Sequence, residues 1–491
     1  MGFLSDEERA ALLPAELHGF PSPVPTQIVS SDEYVPIPQT PRQREVERRL
    51  VSLADGLAAR QGLTRRDFFR TAAGMSAAFV AMNEVYGPLF AASRAEAATP
   101  EMANERAAAL RGQFIMDVHT HFLRDDTRLT SFVAMREAVG QKGWNPALRK
   151  KEHSIEDLKF ENYYKEIFLD SDTRVALISG APSEIAEDWF LTNEMAIAAR
   201  DRVNREAGSR RMLAHAIIQP GAAGWMDAVD RDIALKPDAF KGYTIGDNTH
   251  KELARPWRLD DEKLIYPFYE KAASAGLKNI CIHKGLFPPS LEARFPDLTR
   301  SADVSDVGRA ARDWPQLNFL IYHSGYRHIG NAPEEPWEEF ERTGRISWVT
   351  DLAEIPGKYG VTNVYGDLGQ LFANVTVADP RLAAALMGTL IRGLGPDRVI
   401  WGTDAVWTGS PQWQIEGLRR LEIPEEMQKK HGFAPLGPAD GPVKTAIFGG
   451  TAAKLFDWTP PASADRLDAR KAEYLAAGPD PSNLRYGFIR G

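Results

Sequence analysis

The sequence predicts an α/β protein built as one (β/α)8 TIM barrel, with an insertion after strand 1 and a non-barrel N-terminal extension. Three observations predict it. After about residue 110, short β-branched or aliphatic runs alternate with segments of helical periodicity. From the third run onward, the run ends recur at roughly 25–45-residue spacing, as expected of βα units. Neither a GxGxxG nor a P-loop follows the first run, so the competing open, doubly wound sheet lacks its usual mark.

Bulk composition narrows the function classes. The chain has 491 residues, 43% hydrophobic and 26% charged, enough apolar material for a sizeable core. Its net charge of -8 argues against a nucleic-acid binder, which would carry a basic face toward phosphates. The single cysteine, Cys281, excludes internal disulfides and any thiolate-built zinc site. Metal binding must therefore use His, Asp, Glu or Lys.

Taken in order, residues 1–63 are rich in Pro and charge (Pro21, Pro23, Pro25, Pro36, Pro38, Pro41) and read as extended or disordered, with periodicity only from Arg44. Residues 64–98 open with Thr64-Arg65-Arg66-Asp67-Phe68-Phe69-Arg70, continue through a mildly apolar stretch and end on Ala95-Glu96-Ala97. Paired arginines, a soft apolar region and a small-x-small triplet resemble a twin-arginine export signal. That resemblance implies the twin-arginine export machinery as a partner and a periplasmic or otherwise exported location; an amphipathic surface helix in a cytoplasmic protein is the competing reading. Asn83 and Glu84 interrupt the apolar stretch, which is too short and polar for a stable membrane span. Residues 99–112 read as a linker, 113–458 as the barrel and 459–491 as a C-terminal tail.

Within the barrel, the strand-like runs are 114–118, 175–179, 212–219, 240–245, 279–283, 318–323, 364–368 and 399–403. Helical periodicity marks 189–207, 260–275, 304–314 and 380–394 between them. The gap 123–173, with Trp144, Pro146, Tyr163 and Tyr164, would place an insertion over the barrel mouth. In a parallel barrel all strand C-termini gather at one face, where catalytic side chains sit. His119 and His121 in Asp117-Val118-His119-Thr120-His121-Phe122 share one side of the first strand, because alternate residues point the same way. Two neutral imidazoles converging like this suit a divalent ion such as zinc. His283 ends the fifth run, His323 the sixth and Asp404 the eighth, so four of the ten histidines occupy one structural position. His215, near a strand start, reads as structural.

Lys241 and Tyr243 share a face of the fourth strand. Lys241 has three readings: contact with an acidic substrate, a carboxylated bridge between two metals, or an outward-facing side chain with its head in water. Phe122, Lys284, Tyr326, Arg327, Asp367 and Trp407 lie at or just beyond strand ends, where they would line the pocket.

Asp-Val-His-Thr-His-Phe at 117–122, Ile282-His283-Lys284-Gly285, Tyr322-His323-Ser324-Gly325 and Trp401-Gly402-Thr403-Asp404 together resemble the amidohydrolase superfamily. The likeness is greatest to its amidohydrolase-related branch, which includes aminocarboxymuconate-semialdehyde-decarboxylase-like proteins. Gly449-Gly450-Thr451-Ala452-Ala453-Lys454-Leu455-Phe456 resembles that branch's C-terminal helix start, with Thr451 where Asn is usual. The resemblance covers about residues 113–458. It implies His119, His121, His283 and Asp404 as ligands of one divalent ion, zinc first and manganese second. His323 then becomes the catalytic histidine that polarises water or moves a proton, with an ordinary imidazole pKa near ~6.5 suited to that task.

The favoured function is a metal-dependent hydrolase in which metal-bound hydroxide attacks an ester, lactone or amide-like carbonyl of a small molecule. The alternative is a non-oxidative decarboxylase of an aromatic or unsaturated carboxylic acid, with Lys241, Lys284 or Arg327 holding the carboxylate. The third reading is an inactive ligand-binding barrel. Related barrels often pair, which leaves a homodimer open.

Overall fold

The structure, a computed structural model, describes residues 22–26, 39–127, 129, 158–329, 334–407 and 409–478. Eight strands pair in chain order: β1 (Met116–Thr120), β2 (Val175–Ile178), β3 (Met212–Ile217), β4 (Ala239–Tyr243), β5 (Asn279–His283), β6 (Asn318–Tyr322), β7 (Val364–Asp367) and β8 (Val399–Ile400). Every pairing is parallel. The sheet closes on itself: Thr120 and Ala405 form a parallel bridge, Val118 N donates to Trp401 O at 3.0 Å, and Asp404 N donates to His119 O at 2.8 Å. The expected barrel is present, and each strand overlaps the run that predicted it.

Strand alternation sorts the residues into two layers. Phe240, Ile280, Ile282, Phe319 and Ile321 pack outward against Phe268, Ala272, Val307 and Ala310 of the helices. The intervening Lys241, Cys281, His283, Leu320 and Tyr322 point into the barrel, and all are buried.

Helices flank the sheet on the outside. Ahead of the barrel come α1 (Pro41–Arg60), α2 (Arg65–Phe69), α3 (Ala72–Tyr86), α4 (Arg94–Ala98) and α5 (Pro100–Leu110). Around it run α6 (Asn193–Ala207), α7 (Trp225–Ala234), α8 (Tyr266–Ser274), α9 (Val307–Asp313), α10 (Val349–Tyr359), α11 (Leu371–Ala378), α12 (Pro380–Leu394) and α13 (Gln412–Arg420), and α14 (Arg466–Ala476) follows. Local chemistry sets several ends. Thr192 Oγ1 accepts from Met195 N to start α6, and Gly208 ends it in the left-handed region. Asp379 accepts from Arg381 N ahead of Pro380 to start α12.

Outside the barrel the chain carries more regular structure than the sequence suggested. Residues 41–60, read as part of an extended region, form α1, begun by a capping box between Thr40 and Gln43 with Pro41 in the first turn. The supposed linker 99–112 is mostly helix α5. Within the tail 459–491, α14 docks on the barrel, where Arg211 pairs with Asp465 at 2.8 Å and with Asp468 at 2.9 Å. Trp144 and Pro146 of the insertion lie outside the described residues. Tyr163, Tyr164 and Phe122 do not line the mouth; they pack with Ile167, Phe168 and Ile178 outside the sheet.

The apolar stretch that resembles an export leader is part of the main core. Ala73 to Met82 of α3 are all buried, and Met75, Phe79 and Met82 share one cluster with Leu371 and Phe372 of α11, Leu382 of α12 and Trp413 of α13. Gly74 is required by the turn into α3, because a Cβ there would lie 2.2 Å from Phe68 O. Asn83, which interrupts the apolar pattern, accepts from Leu89 N and Phe90 N and donates to Phe90 O. Phe79, fully buried, should cost about 3–5 kcal/mol of stability as Phe79→Ala, read as a lowered denaturant midpoint. Among the described residues, no helix is long and apolar enough to cross a membrane.

Candidate metal centre and active site

The C-terminal ends of β1 and β8 meet because Asp117 ties them. Its Oδ1 accepts from His119 N and Thr403 N, each at 3.1 Å, and its Oδ2 accepts from Thr403 Oγ1 at 2.5 Å. Gly402 has no room for a side chain: a Cβ there would lie 2.0 Å from Asp367 Oδ1 and 2.7 Å from His119 Cβ. This close approach sets His119, His121 and Asp404 around one point.

His119 Nε2 and His121 Nε2 each lie 3.3 Å from the same oxygen, Asp404 Oδ1. The opposite ring nitrogens are occupied. His121 Nδ1 lies 2.8 Å from Ser179 O, a pure acceptor, so Nδ1 carries the proton. His119 Nδ1 donates in the same way to Asp367 Oδ2 at 2.9 Å. Both Nε2 lone pairs therefore face the Asp404 carboxylate. Burial, and next the charge of Lys241, hold both imidazoles well below the ordinary histidine range, so both rings are neutral.

Two neutral imidazole nitrogens and a carboxylate oxygen converging at this distance form a donor set for a cation, and Lys241 Nζ, 3.2 Å from His119 Nε2, already brings positive charge beside it. Two imidazoles with a carboxylate suit zinc and manganese alike. The donor set fits the metal that the sequence implied.

His283 belongs to neither of the two clusters of three potential ligands found among the described residues: His119 with His121 and Asp404, and His119 with His323 and Asp367. Its Nδ1 lies 3.1 Å from His323 Nε2, its Nε2 lies 3.4 Å from Asn248 Nδ2, and its ring stacks on Tyr243 at 5.0 Å. His283 and His323 thus form a second pair of imidazoles beside the first. His323 Nδ1 donates to Gly369 O at 2.9 Å, which turns its Nε2 inward. Its pKa departs from the ordinary value expected from sequence: burial pushes it down to about 3, so the ring is neutral. His323 (φ 59°) and Asp404 (φ 59°) both adopt the left-handed backbone region, where strain accumulates at functional positions.

Lys241 is fully buried inside the barrel, with Nζ 3.2 Å from His119 Nε2 and 3.9 Å from the Tyr322 ring centroid. That removes the outward-facing reading. The Trp407 ring stacks on His121 at 5.7 Å and meets Phe190 edge-on at 5.3 Å. Tyr243 donates from its hydroxyl to Gly180 O at 3.1 Å. Two expectations fail. Lys284 points away from the site, its Nζ bound to Asp306 Oδ2 at 2.9 Å and Ser301 O at 2.7 Å, with both charged partners fully buried. Arg327 is held by Glu292 and lies over the Trp348 ring. His215 is structural as expected, with Nδ1 on Ile178 O and Nε2 on the Tyr322 hydroxyl.

Sequence reasoning ranked Asp367 only as a residue near the rim, and the structure gives it a defined task. Besides His119 Nδ1, its Oδ2 accepts from His323 N at 3.2 Å and Gly369 N at 3.0 Å. Burial nevertheless pushes its carboxyl up to about 7. Its position at the end of β7 was the available signal, the same one that singled out Asp404. Asp367→Asn should weaken metal binding by about 10–100-fold, read by competition with a chelator, because it disturbs the tautomer of a ligand.

A closed parallel barrel with two histidines and a carboxylate gathered at its C-terminal face has the enzyme architecture in which catalytic side chains meet at the strand ends. Residues 116–458 match the family described as amidohydrolase, and the chain belongs to that family. No curated protein matches the chain. Among solved structures, a 5-carboxyvanillate decarboxylase from Sphingomonas paucimobilis is 14% identical, with 71% of this chain and 100% of that one covered and a TM-score of 0.40. A putative 2-pyrone-4,6-dicarboxylic acid hydrolase from Pseudomonas putida is 13% identical, with 71% and 99% covered and a TM-score of 0.39. A dihydroxybenzoic acid decarboxylase from Polaromonas sp. JS666, with bound manganese, is 17% identical, with 70% and 97% covered and a TM-score of 0.38.

Proposed function

We propose that this chain is a metal-dependent hydrolase acting on an ester, lactone or amide-like carbonyl of a small molecule. One observation carries the reading: a single oxygen of Asp404 stands 3.3 Å from the Nε2 atoms of both His119 and His121. These three residues would hold the ion, with zinc the first choice over manganese; His283, the fourth ligand that the family resemblance implies, stands beside them against His323. When bound, the ion supplies Lewis acidity that activates water and polarises a carbonyl.

The chain's own residues supply the rest. Asp367 and Ser179 fix the ligand tautomers. His323, neutral and anchored on Gly369 O, takes a proton at Nε2 and returns it to the leaving group. Trp407, with Phe190 and Tyr243, forms an apolar wall that positions a flat substrate and keeps bulk water out. Lys241 holds negative charge on the substrate side of His119.

Lys241 also favours a second reading. A fully buried cation beside the ligand set is what a decarboxylase needs to seat a substrate carboxylate. Purified protein should be analysed for metal, then incubated with esters, lactones and aromatic carboxylic acids. Stoichiometric metal with ester or lactone cleavage supports the hydrolase. Carbon dioxide release supports the decarboxylase, and a chain without metal or turnover supports a ligand-binding barrel.

A further inference from the structure

We infer that residues 41–110 stay with the barrel in the working protein as a permanent buttress, so that the paired-arginine segment is not removed at Ala95-Glu96-Ala97. The inference concerns the chain outside the site and stands apart from the proposed reaction.

Three observations lead to it. The first is apolar. α3 shares one continuous core with α11, α12 and α13, and its Phe79 meets Phe90 at 4.8 Å beneath the Arg420 guanidinium. Removing the segment would take its buried side chains out of the core that holds Leu371, Phe372, Leu382 and Trp413 and leave apolar surface on the barrel's flank.

The second is a set of directional contacts across more than three hundred positions. Gln43 Nε2 donates to Val377 O at 3.0 Å, closing the last turn of α11. Phe90 and Leu421 form an antiparallel bridge, with Ala91 N donating to Arg420 O and Glu422 N to Leu89 O, each at 2.7 Å. Arg420, buried, grips the Glu96 carboxylate through both oxygens at 2.7 and 3.1 Å. Without Glu96 that guanidinium would keep, among the described residues, Glu416 as its charged partner in a buried place.

The third concerns the triplet itself. Ala95-Glu96-Ala97 lies within helix α4, and Ala97 is 1% exposed. A peptidase needs an accessible, extended backbone, whereas this triplet is helical and only Ala95 of its three residues is exposed. Arg65 and Arg66 sit on the outside, Arg65 facing Asp55 at 3.2 Å, while the adjoining Phe68 and Phe69 are buried. The motif is divided between solvent and core.

The buttress bears on the site as well. α11, buried along its whole length, begins at Leu371, just after Gly369, whose carbonyl orients His323, and Gln370, whose N–H donates to Thr403 O at 3.3 Å.

The test uses the full chain with a C-terminal tag, produced in bacteria that possess twin-arginine export and separated into cytoplasmic and periplasmic fractions. Intact mass of the metal-loaded, folded protein should show residues 41–110 present in every fraction that contains it. Folded, metal-loaded protein beginning near Ala98 would overturn the inference. A second measurement covers the docked state. With a protease site placed at the exposed Gly112, the cut N-terminal piece should co-elute with the barrel in native buffer and part from it only in denaturant. Separation in native buffer, leaving a barrel with its metal and a cooperative melt, is the opposing result. In the uncut chain, Glu96→Gln should lower Tm by about 3–5 °C without changing metal content. An unchanged Tm would count against the weld.

Discussion

His121→Ala should strip the centre of metal and turnover together, lowering metal affinity by more than about 100-fold. The ring supplies one of two nitrogen lone pairs aimed at Asp404 Oδ1, and its Nδ1 proton is already committed to Ser179 O. Alanine offers no donor, and the neighbouring Trp407 is apolar at the face it turns to His121. The metal-free variant should keep its fold, since His121 sits at the end of β1 rather than inside the pairing. Metal per chain after dialysis, measured by elemental mass spectrometry beside a thermal melt, separates lost binding from lost structure. A variant that retains a full complement of metal would remove His121 from the ligand set.

His323→Ala should leave the metal in place while turnover falls by about 10²–10⁴-fold, the range expected when a positioned proton carrier is removed. Its Nε2 faces His283 Nδ1 at 3.1 Å, outside the His119–His121–Asp404 cluster. Equal loss of metal and turnover would mean that His283 and His323 hold an ion of their own, with Lys241 between the two centres. Because burial already keeps the His323 ring neutral down to about pH 3, an acid limb near pH 6.5 in the rate profile would have to come from another group.

Much of the barrel was legible because β-branched runs ending in His or Asp carry two messages at once. The run marks the strand, and its last residue marks the catalytic face. Period-two alternation would also have corrected one error. Lys284 follows His283 directly, so it must leave by the opposite face of the strand, where Asp306 meets it. Arg327 was beyond reach, since a loop residue's direction depends on what packs beneath it; Glu292 and Trp348 decide it here. Lys241 lies in the middle of β4, and its long stem carries the Nζ up the barrel to His119. The segment 64–98 shows the limit most plainly. A leader and a small, apolar core helix have the same local composition, and the difference lies in partners such as Phe372 and Trp413, three hundred residues away.

The Asp117 tie between the first strand and the last has a consequence for biogenesis. A ribosome delivers His119 and His121 well before Thr403 and Asp404, so the carboxylate joins the two imidazoles only after every strand between them has been made. Assembly of the His–His–carboxylate cluster is thereby a late event, timed by closure of the circle of strands.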